Sequence, residues 1–395
     1  MTDDQKQTPL TWAAGEGHDE IVKLLLRFPN VNPNIADVDG RTDDWKRTPL
    51  TWAAREGHDE IVKLLLRCPN VNPNVADVDG RTPLLLAVMN SHHRVVRLLL
   101  AREDVNPNIP DNYRRTSLMC ASASGDDEVV KLLLGCRNIN PNMTSEGGRT
   151  ALWWAAERGH LEIVRLLLGR EDLDPNILDN SNRTPLLWAA REGHDEVVEL
   201  LLKCRDVHPD TIDIIRRTPL LWAAERGHFR VVRLLLRRND VYPNTPDLLD
   251  RTPLLWAAKR GDKRVVRLLL QRKDIIPDIR DPFGDTPLSW AAREGRDEAV
   301  MLLLKCRKVN PNTTNEAGRT PLWLAAERGQ FGVVQLLLGR ASVNPNIPDD
   351  IGRTPLARAV VEGHDGVVNL LLNRQNVDPD MTDIALRMPL WWAAD

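Results

Sequence analysis

No stretch of this sequence comes near the roughly 18 to 20 consecutive apolar residues that a membrane-spanning helix needs. The longest apolar stretches are short motifs such as LLWAA and VVRLLL. The amino terminus, MTDDQKQTPL, lacks the basic start and apolar stretch of a secretory leader. An excess of one charge is missing too: 53 basic residues stand against 56 acidic ones, for a net charge of -3. That balance argues against nucleic acid or an anionic membrane as the principal partner. There are only five cysteines. Cys68, Cys136, Cys204 and Cys306 are separated by 68, 68 and 102 residues, and Cys120 stands apart from that series. No phosphate-cradling glycine loop and no nucleophile elbow is found. The pairs His92/His93 and Cys204/His208 fall short of a zinc ligand set. The expectation is an intracellular protein without catalytic activity, cofactor or metal. It is placed in the cytoplasm, with the nucleus left open.

What is present is a repeat. Thr-Pro-Leu or a close variant begins at Thr8, Thr48, Thr82, Thr116, Thr150, Thr184, Thr218, Thr252, Thr286, Thr320, Thr354 and Met388. The first spacing is 40 residues and every later one is 34. A second marker, Pro-Asn or Pro-Asp, keeps the same phase from Pro33-Asn34 to Pro379-Asp380. Positions are counted from the threonine, so Thr184 is position 0, Trp188 is +4 and Asp179 is −5.

Each copy divides by simple chemistry. Threonine is a good N-cap, and proline fits the first helical position, where its missing N–H costs nothing. The apolar run that follows predicts a short helix buried on several sides. Glycine at +9 ends it. A second amphipathic helix comes next, with Val197, Val198, Leu201 and Leu202 inward and Glu196, Glu199 and Lys203 outward. Ten or so residues rich in Pro, Asn, Asp and Gly then return the chain to the next N-cap. One copy cannot bury its apolar face alone, so the copies must stack. The four phase-matched cysteines then lie two or three copies apart. With stacked helices roughly 8–10 Å from one another, they cannot close a disulfide.

Asp179, Thr184-Pro185-Leu186, Ala189-Ala190, Gly193-His194, Val197 and Leu201-Leu202 resemble the ankyrin repeat. The likeness covers essentially residues 3 to 395. The strict 34-residue period is similar to arrays found in large fungal proteins of that family. The resemblance implies an all-α fold: an ankyrin-repeat solenoid of stacked helix-turn-helix pairs with long projecting loops. It implies a single domain over 1–395, with eleven full repeats and a twelfth, from 388, cut short inside its first helix. Such a cut suggests a fragment of a larger signalling protein, or a chain that needs a partner at that end. Two departures stand out. The family usually runs 33 residues, and it favours histidine at +3. No copy here has that histidine, so packing is expected to replace its polar bonding to the loop.

Residues 8–42 and 48–82 differ only at Gly15/Arg55, Phe28/Cys68 and Ile35/Val75. Copying of this kind favours modular binding over an active site with unique geometry. The seven residues Gly40–Lys46 hold the one interruption of the period and place Trp45 on an enlarged loop as a secondary candidate contact. Of twelve tryptophans, eight lie at +4: Trp12, Trp52, Trp154, Trp188, Trp222, Trp256, Trp290 and Trp392. Either they are core, which flanking Leu and Ala favour, or they form an aromatic platform. An arginine at −1 in ten copies is expected to pair with nearby carboxylates. The +7 and +8 residues mix both signs, with Lys259-Arg260 as an exception. The histidines after the +9 glycine are read as structural.

The most informative breaks fall in three consecutive copies. Positions −4 and −3, usually polar or small, become Ile214-Ile215, Leu248-Leu249 and Pro282-Phe283. The same copies replace the asparagine before proline with His208, Tyr242 and Ile276. The resemblance makes −4 and −3 the tips of exposed fingers. Ile214, Ile215, Leu248, Leu249, Pro282, Phe283 and Tyr242 therefore form the candidate protein-binding edge. The opposing reading is that neighbouring fingers pack on one another. The function expected is a protein–protein interaction module or scaffold for a protein partner. The alternative is a structural spacer or self-associating array.

Overall fold

A computed structural model of the chain describes residues 8–37 and 46–389. Among them are twenty-two α-helices in eleven pairs, and no strand. Each first helix is built as its sequence dictates. In Pro219–Arg226, the Thr218 hydroxyl accepts the N–H of Leu221, proline occupies the first turn, and Gly227 closes the helix in the left-handed region. Leu220, Leu221, Ala223 and Ala224 are fully buried. The paired helix Phe229–Leu236 turns Val231, Val232 and Leu235 inward. In the neighbouring copy Val197, Val198 and Leu201 are buried as expected, whereas Leu202 is half-buried.

The chain divides into two compact units, Met1–Ala189 with Lys203–Val207 and Ala190–Leu202 with His208–Asp395. Within the first, Pro49–Glu56 packs between Pro9–Gly15 and Pro83–Met89. Within the second, Pro253–Arg260 packs between Pro219–Arg226 and Pro287–Arg293. Stacking of this kind gives each unit one continuous apolar core.

Polar bonds fix the stacking register. Gly57 ends its helix with φ +81°, and a Cβ there would lie 2.6 Å from the His92 ring, so a side chain is excluded twice over. That ring donates its Nε2–H to the Arg55 carbonyl, 2.9 Å away. His228 does the same to the Arg191 carbonyl at 3.0 Å. At the far end of the second helices, Arg238 donates to the Leu202 carbonyl (2.9 Å) and Arg272 to the Leu236 carbonyl (3.0 Å). Helix C-termini leave such carbonyls without partners of their own. Here the next copy supplies them.

Position +3 holds buried Leu85, Leu187, Leu221 and Leu255, where packing stands in place of polar bonding. Two copies differ: Trp153 donates its indole N–H to Asp179 of the next copy (3.2 Å), and Trp323 donates its own to the Arg353 carbonyl (2.9 Å). The Thr51 and Thr48 hydroxyls, 2.8 Å apart, bond within their own copy.

Candidate functional site

The loops carry the candidate site, and one residue per copy builds them. The aspartate at −5 is buried in copy after copy, as Asp77, Asp213 and Asp247 show. In the copy of Thr252, Asp247 Oδ1 accepts the N–H of Leu249 (2.9 Å) and that of Arg251 (3.1 Å). Oδ2 accepts the Arg251 Nε–H at 3.1 Å and the Trp256 indole N–H at 3.3 Å. The Arg251 guanidinium lies 4.4 Å from the centre of that indole ring. Asp, Arg and Trp at −5, −1 and +4 thus form one cluster at the base of this finger. A hydrogen bond to a charged group contributes about 1.5–3 kcal/mol. The cation–π contact adds about 0.5–2 kcal/mol. The same indole-to-carboxylate bond joins Trp52 to Asp37 (3.0 Å), Trp188 to Asp179 (3.0 Å), Trp222 to Asp213 (3.1 Å) and Trp290 to Asp281 (2.8 Å).

This cluster revises the reading of the +4 tryptophans. Trp188 and Trp222 are buried, Trp52, Trp154, Trp256 and Trp290 are half-buried, and Trp12 is exposed. The fully buried tryptophans are Trp153 and Trp323, at +3. Several −1 arginines pair with carboxylates: Arg81 with Asp77 (3.0 Å), Arg115 with Asp111 (2.7 Å), Arg217 with Glu225 (2.6 Å). Lys259 makes no ion pair among the described residues. Its ammonium sits over the Trp290 ring at 4.1 Å. Asp285 replaces the −1 arginine of that copy and pairs with Arg293 at 2.7 Å; burial raises its pKa.

The finger tips are tied to one another through their backbones. The −4 N–H donates to the −3 carbonyl of the preceding copy: Glu146 to Tyr113 (3.0 Å), Leu248 to Ile215 (3.2 Å), Glu316 to Phe283 (2.9 Å) and Asp350 to Ala317 (3.1 Å). Pro282 has no N–H to give, so the step from Leu249 lacks this bond. Fingers therefore do pack on one another, but by main chain. The side chains stay out: Ile214 and Leu248 are each 56% exposed, Leu249 50% and Phe283 68%. Pro282 is exposed as well, and Ile215 is half-buried.

Tyr242, 65% exposed, belongs to a different row six residues before the tip. There the −8 asparagine joins copies. Asn74, for example, donates Nδ2–H to the Asp104 carbonyl (2.7 Å) and accepts the Asn106 N–H (2.8 Å). Tyr242 donates its backbone N–H to Asp210 at 2.9 Å and lies in line with Ile276 and His208. The candidate residues so form two rows, not one patch. Trp45 lies outside the described residues, as do Trp391 and Trp392. Asp37 and Arg47, which flank the interruption, keep the finger-base pairing of other copies.

The tip row also extends further than those three copies. Ile351 shares the phase of Ile215, Leu249 and Phe283, and Ile384 shares that of Ile214 and Leu248; both are exposed. Tyr113 holds the −3 place in the first unit. Their periodic position was the signal available in the sequence. Among the described residues no group of three or more His, Cys, Asp or Glu could hold a metal ion, and no helix is long and apolar enough to cross a membrane. The five cysteines are free thiols.

A family model described as ankyrin repeats, in three copies, matches residues 1–77, 69–145, 137–213, 173–247, 220–315 and 288–383. No curated protein gives a match. With paired helices, capped threonines, glycine–histidine stacking and family matches running from residue 1 to 383, the chain belongs to the ankyrin-repeat family.

Proposed function

We propose that the chain is a protein-recognition scaffold whose contact edge is the tip row of the second unit. One observation carries this reading: apolar tip side chains stand exposed on a backbone already fixed from below and from the side. The −5 aspartates hold each finger, and the Leu248 N–H to Ile215 carbonyl bond ties the first two fingers together. A rigid surface loses little ordering entropy on binding, which favours affinity. Contiguous exposed apolar surface marks interaction sites. Ile214, Leu248, Leu249 and Phe283 are the contacts expected to matter most; Ile215 and Pro282 shape the row, and Tyr242 flanks it. The free thiols support an intracellular setting, cytoplasmic or nuclear. The strict period supports a place among long arrays of the kind found in large fungal proteins.

The test replaces Ile214, Leu249 and Phe283 together with serine. The melting temperature should stay within about 2 °C, because exposed side chains contribute little to stability. Proteins retained by the wild-type chain from a native extract should be lost. Retention of the same set by the variant would overturn the proposal. Sedimentation of both proteins separates a foreign partner from a second copy. A wild-type dimer that the serine variant abolishes would assign the edge to self-association.

A further inference from the structure

We infer that the recess under the Glu146-Gly147 finger is a binding site for a carboxylate, with Arg149 and the indole N–H of Trp154 as the groups that hold it. The template is the chain itself. Wherever a +4 tryptophan meets a −5 aspartate, one carboxylate oxygen takes the indole N–H at 2.8–3.3 Å. In the copy of Thr150 the tryptophan and the arginine are kept and the aspartate is gone: Ser145 stands at −5. Its hydroxyl is used in accepting the backbone N–H of Arg149, 3.3 Å away. Arg149 Nε is buried and has no hydrogen-bond partner. The Trp154 indole N–H makes no hydrogen bond among the described residues. Two donors that share one carboxylate in the Asp247 copy are here left without it.

The other departure at −5 sharpens the point. Asn315 also replaces aspartate, but its copy has Leu324 at +4 and no indole there to satisfy. Only the Ser145 copy removes the acceptor and keeps both donors. The vacancy is open. A recess of about 320 Å³ is lined by Arg149, Trp154, Ser145, Tyr113, Arg115 and Glu146, among others. Gly147 keeps the approach clear, since a Cβ there would stand 3.3 Å from Arg149 Nε. Arg115 is neutralised by Asp111 at 2.7 Å. Arg149 makes no ion pair; its guanidinium lies 4.6 Å and 5.2 Å from the Trp153 and Trp154 ring centres. An exposed ring, Tyr113, forms one flank and suits an aliphatic stem beside the acid group. Glu146 is exposed and opposes an incoming anion.

The shared chemistry is a carboxylate on a short apolar stem, supplied by an acidic side chain, a peptide C-terminus or a small free acid. The probes are sodium acetate, N-acetyl-aspartate amide, and one short peptide with its C-terminus free or amidated. The readout is the Trp154 indole N–H resonance, identified by its loss in Trp154→Phe. Acetate should move it saturably at constant ionic strength, while chloride should not. Ser145→Asp restores the internal carboxylate. It should move the same resonance without ligand, raise the melting temperature and weaken acetate binding at least tenfold. Arg149→Gln should weaken binding similarly, and Glu146→Gln should strengthen it. The aspartate amide and the two peptides separate a side-chain acid from a terminal one. An equal response to chloride, a non-saturating shift, or unchanged acetate binding in Ser145→Asp would overturn the assignment. Because Ser145→Asp supplies what sibling copies already contain, its failure to bind cannot be ascribed to misfolding when its melting temperature rises.

Discussion

Replacing Asp210 by asparagine should stabilise the protein at neutral pH and do so much less in acid. The −8 row gives the reason. Asn74, Asn108, Asn142, Asn244, Asn312 and Asn346 each donate Nδ2–H to a carbonyl of the next copy at 2.6–2.8 Å. Asp210 occupies the same place. Its Oδ2 accepts the Tyr242 N–H at 2.9 Å, but Oδ1 is buried without a partner. By phase, the group facing that oxygen is the Asp240 carbonyl, another acceptor. An ionised carboxylate cannot donate to it, whereas a protonated one can. Burial accordingly pushes the Asp210 carboxyl from an ordinary 3.8 up to about 6; the Tyr242 N–H opposes the rise, and the Asp240 charge adds to it. The fold therefore binds this proton more tightly than the unfolded chain does. The contribution to stability is full below about pH 4, is lost as pH rises toward 6, and is absent at pH 7. A carboxyl held near 6 instead of about 3.9 corresponds to at most about 3 kcal/mol. Partial solvent screening of a half-buried group reduces the expected effect to about 1–2 kcal/mol. At about 2–4 °C per kcal/mol for a unit of this size, Asp210→Asn should melt about 2–8 °C higher than wild type at pH 7.5. The gap should shrink to about a third of that at pH 4.5 and close toward zero below about pH 4. Thermal unfolding followed by circular dichroism at both pH values reads it directly. A gap of the same size at both, or a less stable variant at pH 7.5, would refute the reasoning. Asp278 repeats the arrangement, with Oδ2 accepting the Asn310 N–H at 2.8 Å and a buried, partnerless Oδ1. The double substitution should show a larger gap with the same pH dependence.

Arg216 sits at φ +59°, where Gly80, Gly148, Gly284, Gly318 and Gly352 stand in other copies and Arg114, Asn182, Asp250 and Leu386 share its left-handed backbone. Left-handed backbone costs a side-chain-bearing residue about 1–2 kcal/mol, and glycine's unfolded-state freedom returns part of that. Arg216→Gly should gain about 0.5–1 kcal/mol in urea unfolding, the reverse of the usual effect of glycine; a loss would show the strain is not there. Trp222→Phe removes the bond to Asp213 along with buried volume, so about 2–3 kcal/mol should be lost in the same assay, with a change under 0.5 kcal/mol discrediting the finger-base cluster. Burial pushes the Cys120 thiol up to about 11, with Arg115 opposing. In a thiol titration at pH 8, Cys120 should be the slow phase of five, and Cys120→Ser should abolish that phase.

The helices and their stacking were legible because each local signal agrees with the fold: threonine cap, proline in the first turn, glycine at the end, apolar period. The finger-base cluster was not. It joins positions −5, −1 and +4 through an indole N–H, and nothing in a linear pattern distinguishes a tryptophan that fills a core from one that also reaches a carboxylate. Position +3, one residue earlier on the helix, points into the core, as Trp153 and Trp323 show. Position +4, a rotation of about 100° away, looks toward the loop. The apolar tips were legible as breaks in phase, including those at Ile214 and Phe283. Ile351 and Ile384 hold the same phase, but each is a single apolar residue beside Asp350 or Ala385, a weaker signal than a doubled one.

Two rows, a buried aspartate at −5 and a half-buried asparagine at −8, hold the loops. The side chains at −4 and −3 between them and solvent carry almost none of that duty. A copy can therefore exchange Asn180-Ser181 for Leu248-Leu249 without disturbing its base, because Asp179 and Asp247 bond the loop backbone in the same way. Recognition and stability thus fall to adjacent residues of the chain. The same separation runs in reverse at Ser145. There the tip is ordinary and the base is broken, so the unsatisfied donors lie below the surface instead of on it. Variation at the tips changes what the edge presents. Variation at the base opens a polar recess that asks for an external acceptor. One 34-residue pattern thus has two independent ways of acquiring a ligand, and the two are distinguished by whether the substituted position lies at −4 and −3 or at −5.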